Sequence, residues 1–152
     1  MEIVIRKANL GDLERLIEIQ KEAFAFQARK YDAWDIPPMV EKANDINLDD
    51  PGLTVLVAEA DGVLLGSIRL LKDGTEAEIK RLSVSKGFQN NGIGSKLMKS
   101  IEENAEDIKR LWLFTGGQSY KNINLYRKMG YDSYKEEPFK DEFTLIYMEK
   151  YI

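Results

Sequence analysis

The sequence predicts an α+β fold: one domain over residues 1–152, with a mixed, mostly antiparallel sheet that holds a central parallel strand pair and is flanked by helices. Three observations carry that expectation. The runs LTVLVAEA, VLLGSIRLL and EAEIKRLSV follow one another across Asp61-Gly62 and Asp73-Gly74, the turn chemistry of tight hairpins, and so read as an antiparallel meander. An amphipathic helix then separates the third run from KRLWLFT, so these two strands can lie parallel through a right-handed crossover. No internal repeat, low-complexity tract or linker divides the chain.

In order, EIVIRK at residues 2–7 reads as a strand, and Asn9 with Asp12 can cap the next helix through short side-chain acceptors. That helix carries Leu13, Leu16, Ile17, Gln20 and Phe24 on one face, with Gln20 interrupting the apolar stripe. The prolines of YDAWDIPPMVEK force an irregular link before a short helix near residues 39–48. After the meander, Ile93, Leu97, Met98, Ile101 and Ala105 form the buried face of the crossover helix. A last helix at about 119–129 ends at Gly130, suited to a left-handed cap, and strands near 131–136 and 142–149 complete the sheet.

Composition removes whole classes of chemistry. The chain has no cysteine and no histidine, which excludes disulfides, zinc sites of the usual ligands and histidine acid/base catalysis; no metal is expected. A formal charge of −4 gives no footprint for nucleic acid. No apolar run approaches the roughly 20 residues that cross a bilayer, so no membrane partner is expected and a cytoplasmic location is. An acidic surface suits cationic amines. A homodimer is left open.

The most informative segment is Gln89-Asn90-Asn91-Gly92-Ile93-Gly94, lying between a strand and an amphipathic helix. Successive N–H groups there can turn inward at the positive end of the helix, where anions are stabilised and glycine permits close approach. Gly87 and Gly92 have P-loop spacing, yet Ile93-Gly94 stands where Lys and Ser or Thr are needed. A dinucleotide fingerprint would need a small residue at Leu97 and a βαβ start. Asp45, Asn47 and Asp49 open like an EF-hand, but Asp50 and Leu56 occupy its glycine and glutamate positions.

Gln89, Gly92 and Gly94 match the coenzyme A signature of the GNAT superfamily, and LSVSKGFQNNGIGSKLM resembles that family's strand, turn and helix without a gap. Downstream, NINLYRKMGY resembles its last helix, which carries Leu-Tyr and ends in Gly followed by an aromatic. The resemblance covers nearly the whole chain in element order and implies a parallel strand pair splayed around acetyl-CoA. It further implies that backbone amides of Gln89, Asn90, Asn91, Gly92, Ile93 and Gly94, with Ser95 and Lys96 nearby, hold the pyrophosphate. Leu82, Ser83 and Val84 would pair with the pantetheine arm, whose amides suit an open strand edge. The family's usual Asn on the last helix corresponds to Ser119, with Asn122 where a small apolar residue is common.

Amine acetylation needs a neutral amine, oxyanion stabilisation and a proton for the departing thiolate. Tyr126 is the candidate acid: a tyrosine pKa of about 10 exceeds the roughly 8.5 of a thiol, so the proton is loaded at neutral pH. Helical spacing sets it on one face with Asn122 and Met129, and the resemblance implies a place beside the thioester sulfur. A core aromatic is the competing account. Glu78 is the candidate base, sharing a face with Lys80, Leu82 and Val84 by the strand period unless a bulge intervenes, and matching the offset of a catalytic Glu in some members. A solvated strand edge or a water chain competes with it. A backbone N–H near Val84 is implied to polarise the thioester carbonyl. Tyr31 and Trp34, with Asp32 and Asp35, could clasp an amine, whereas Trp34 could equally anchor its loop on the core.

The expected function is N-acetyl transfer from acetyl-CoA directly to a primary amine of a small molecule or peptide, since no cysteine exists to form an acyl-thioenzyme. A coenzyme A-binding regulatory or partner-binding domain without turnover is the alternative, followed by an O-acyltransferase or a longer-chain acyltransferase.

Overall fold

The computed structural model describes residues 1–141 and 143–152. Its strands are β1 (Val4–Lys7), β2 (Leu53–Ala60), β3 (Val63–Asp73), β4 (Glu76–Val84), β5 (Arg110–Gly116), β6 (Asp132–Pro138) and β7 (Thr144–Tyr151). They form one seven-stranded sheet in the order β1-β2-β3-β4-β5-β7-β6. The pair β4–β5 is parallel, and every other neighbouring pair among the described residues is antiparallel. The helices are α1 (Leu13–Lys30), α2 (Pro37–Val40), α3 (Ile93–Glu103) and α4 (Tyr120–Lys128).

Apolar spacing decides which face each helix covers. On α3, Ile93, Leu97, Met98 and Ile101 are fully buried against Ile68, Leu70, Leu111 and Met148, each such side chain contributing about 1.5–3 kcal/mol. Ile123 and Tyr126 of α4 join the same cluster. Leu13, Leu16, Ile17 and Ile19 of α1 pack on Val55, Val57 and Leu64, forming a second cluster. Among the described residues no helix is long and apolar enough to cross a membrane.

Local differences from the sequence expectation have physical causes. In place of a helix at 39–48 there is a single turn, Pro37–Val40, and a 3-10 turn, Ala43–Asp45. The prolines fit the first helical positions, where a missing N–H costs nothing, but Glu41 leaves the helix in an extended conformation and reaches Arg69. At the start of α1, the Asp12 carboxylate accepts the Asn9 N–H at 2.8 Å and two Arg6 hydrogen bonds at 2.8 and 3.0 Å, so it closes a 3-10 turn instead of capping the helix. Gly130 follows α4 with φ +98°, as the cap requires. The strand expected at 142–149 begins on Glu142, which lies outside the described residues; the observed strand is β7.

The shared face expected for Glu78, Lys80, Leu82 and Val84 is corrected by a β-bulge. Ser67 pairs with Ser83 and Arg69 with Lys80, so Arg81 and Leu82 together oppose Ile68, and Arg81 takes φ +60°. The extra residue inverts the alternation, leaving Glu78 opposite Leu71 and Val84 opposite Gly66, on opposite faces of the sheet.

Candidate active site

Parallel pairing between β4 and β5 is confined to Glu76–Arg110, Ala77–Leu111 and Glu78–Trp112, although the strands run on to Val84 and Gly116. Past Glu78 they part, and two cavities occupy the opening. One has a volume of 640 Å³ and lies between α1, the turn at residues 89–94 and α4. The other, of 260 Å³, lies among the loop after α1, the bulge of β4 and the ends of β5 and α4. Phe24, Gln27, Leu82 and Asn122 line both, so the cavities meet there.

The larger cavity presents backbone N–H groups and cationic side chains. Asn90 and Gly92 take φ +67° and +76°, bending the chain into the N-terminus of α3. A Cβ on Gly92 would have nothing within 4 Å, so glycine is selected there by backbone conformation alone. Among the described residues no protein acceptor takes the N–H groups of residues 89–95, which leaves them for a ligand. Glu22 of α1 accepts the Lys86 N–H and the Ser85 hydroxyl, fixing the start of the turn. Gln89, Asn90, Gly92, Ile93, Gly94 and Ser95 line the cavity; Asn91 and Lys96 do not. The Asn91 side-chain amide turns back to the carbonyls of Phe88 and Gln89, at 3.1 and 3.2 Å. Lys30 and Lys121 also line it, with no carboxylate among the described lining residues.

Leu82 and Val84 face this cavity from β4, while Ser83 is buried with its hydroxyl donating to the Arg81 carbonyl at 3.1 Å. Ser119 lines it at the N-cap of α4, where its side chain makes no capping hydrogen bond. Asn122 stands one turn further along, where the cavities join.

Tyr126 lies one turn beyond Asn122 and lines the smaller cavity. The side chain is buried, its ring 6.3 Å from that of Tyr131, and burial pushes its pKa above the ordinary tyrosine value. No hydrogen bond to its hydroxyl is present among the described residues. Tyr31 lines the same cavity, packed edge-on against Phe143 with centroids 4.9 Å apart, its hydroxyl accepting the Gln118 N–H at 3.1 Å. A Cβ at Gly116 would sit 2.3 Å from that hydroxyl, so the approach of α1 to β5 demands glycine. Trp34 is 50% exposed and lines neither cavity. Glu78 also lines neither: it is half-buried, 3.9 Å from the Lys80 ammonium, and burial raises its pKa against the pull of Lys80 and Arg81.

Sequence reasoning missed a polar network behind Pro38 and Arg81, two residues that line the smaller cavity. Arg69 is buried on β3 and donates to both oxygens of Glu41, at 2.9 and 2.8 Å, and to the Gln20 carbonyl oxygen at 2.7 Å. Gln20 in turn donates to Glu41 and to the Pro38 carbonyl, both at 3.0 Å. Burial works against the Glu41 charge, but hydrogen bonds from Arg69 and Gln20 hold its pKa down at about 2. The signals were present as Gln20 in an apolar stripe and Arg69 inside VLLGSIRLL, but neither names its partner.

Comparison with known proteins agrees with this geometry. The profile of the acetyltransferase (GNAT) family matches residues 13–131. The chain is 32% identical over 108 residues to an IAA acetyltransferase of Azospirillum brasilense, covering 68% of this chain and 71% of that protein. It is 27% identical over 143 residues to a spermidine N(1)-acetyltransferase of Thermoplasma acidophilum, covering 86% and 89%. Among solved structures, PaiA N-acetyltransferase from Thermoplasma acidophilum in complex with coenzyme A superposes with a TM-score of 0.81 at 27% identity over 100% of both chains.

Proposed function

The chain belongs to the acetyltransferase (GNAT) family, and from that premise we propose that it transfers the acetyl group of acetyl-CoA directly to a primary amine of a small molecule or peptide. The observation that carries this reading is the meeting of two cavities where β4 and β5 part, one edged by free N–H groups and the other lined by Tyr126. Acetyl-CoA, when bound, supplies the activated acetyl thioester.

The N–H groups of residues 89–95 and the side chains of Lys30 and Lys121 bind the pyrophosphate. Residues Leu82, Ser83 and Val84, on the edge of β4 that β5 leaves unpaired, receive the amides of the pantetheine arm. Ser119 and Asn122 offer side-chain polar groups along the same wall.

Tyr126 holds a proton at Oη that burial keeps in place at neutral pH. Even an ordinary tyrosine lies about 1.5 pKa units above a thiol, so complete transfer would be uphill by about 2 kcal/mol. Tyr126 therefore stabilises the departing sulfur chiefly by donating a hydrogen bond. Glu78 lines neither cavity, which supports water in the groove over Glu78 as the acceptor of the amine proton.

Calorimetry with acetyl-CoA, followed by thiol release over a panel of amines, tests the reading. Saturable binding with amine-dependent release is expected. Binding with no turnover on any amine would instead favour a coenzyme A-binding regulatory domain, and no binding at millimolar acetyl-CoA would sink both.

A further inference from the structure

We propose that the smaller cavity selects an acceptor amine that carries a carboxylate on an apolar body, with Arg81 binding the carboxylate. The inference rests on the acceptor chemistry proposed above and names its substrate class. Its ground is the charge distribution around the cavity. Lys80 and Arg81 line it, and no carboxylate does among the described residues.

Hydrogen bonding shows which charge is left over. Glu41 is engaged by Arg69 through two short bonds, whereas Arg81 reaches it only through Nε at 3.4 Å. The terminal nitrogens of Arg81 have no acceptor among the described residues. Counting the cluster, Arg69, Lys80 and Arg81 face Glu41 and Glu78, three cations against two carboxylates, so one positive charge is uncompensated. The Arg81 side chain is only 14% exposed, and a guanidinium drawn this far from water is stabilised by a planar anion that it can grip with both terminal nitrogens.

Backbone geometry points the same way. Arg81 occupies the bulge at φ +60°, a conformation costly for a non-glycine residue and concentrated at functional sites. Ile36, Pro37, Phe114, Phe139 and Leu145 supply apolar walls, and 260 Å³ admits only a small acceptor. A polyamine would bring further ammonium groups toward Lys80 and Arg81, where nothing among the described lining residues offers a counter-charge.

The experiment has a binding arm and a kinetic arm. In calorimetry on the protein saturated with coenzyme A, phenylacetate is expected to bind at least tenfold more tightly than the neutral phenylacetamide, with the advantage shrinking as salt is raised. Arg81→Asn, which tolerates positive φ, should abolish that advantage, and Arg81→Lys, which keeps the charge but not the two-nitrogen grip, should keep only part of it. In thiol release with acetyl-CoA, L-phenylalanine should exceed both L-phenylalaninamide and spermidine in kcat/KM by at least tenfold, and Arg81→Asn should bring the acid-to-amide ratio toward one. Equal binding of the two probes, binding of neither, or preference for spermidine would overturn the proposal. If Arg81→Asn does not fold, the salt dependence and Arg81→Lys decide. Carboxylate binding through Arg81 without acetyl-CoA binding would defeat the transferase reading alone; transfer to amides as readily as to acids would defeat only this inference.

Discussion

Single residues divide by how far their partners lie along the chain. Tyr126 could be picked out because Asn122, Gly130 and Tyr131 lie within a few residues of it, whereas the partners of Gln20 are Pro38, Glu41 and Arg69, up to 49 positions away. A buried hydroxyl that contributes a hydrogen bond to a developing thiolate predicts a specific signature. Tyr126→Phe should keep acetyl-CoA affinity within about twofold while lowering kcat by roughly 10²-fold, the lower end for acid catalysis; stopped-flow thiol release together with calorimetry separates the two. Unchanged kcat would return Tyr126 to a packing role. Glu78→Gln should change kcat/KM by less than about threefold at any pH, because the carboxylate lines neither cavity. A loss above about tenfold confined to low pH would instead make Glu78 the base.

At the scale of elements, the turn and the splay set the site. Gly92 at φ +76° has space around it, so Gly92→Ala should cost about 1 kcal/mol of stability through backbone conformation and weaken acetyl-CoA binding by disturbing the N–H array. Thermal melts and calorimetry read these two effects independently. Gly116→Ala is a different case, since its Cβ would overlap the Tyr31 ring, and overpacking of this kind costs about 1–3 kcal/mol. The expected result is a lower Tm, and Tyr31→Phe should relieve little of it because ring carbons also lie 2.7 Å from that Cβ. The β2–β3–β4 meander and the parallel β4–β5 pair follow from hairpin turns and a crossover helix, both local in sequence, whereas the insertion of β7 between β5 and β6 does not. The bulge at Arg81 does not, because EAEIKRLSV alternates regularly and only the register against β3 inserts the extra residue.

For the whole molecule, the formal charge of −4 conceals two cavities without a carboxylate among their described lining residues. One consequence concerns acid. The folded pKa of Glu41 is about 2 against an ordinary 4.5, so its pairing stabilises the fold fully above pH 4.5 and the contribution is lost as pH falls toward 2. Urea melts should therefore show stability dropping across that window, and the drop should be smaller in Glu41→Gln, which also leaves Arg69 without its charge partner and costs about 3–5 kcal/mol at pH 7. An acid limb of the same size in the variant would place its origin elsewhere. The sequence by itself determined the order of the strands and of the three longer helices along the chain, the turn at residues 89–94 and the Tyr126 helix, since each depends on spacing and turn chemistry over a few residues. Only the tertiary structure decided that Glu78 and Val84 lie on opposite faces, that Trp34 stands apart from both cavities, and that Arg69, Glu41 and Arg81 converge beside the smaller one. Those outcomes depend on register, burial and charge pairing between distant segments, which no local pattern encodes.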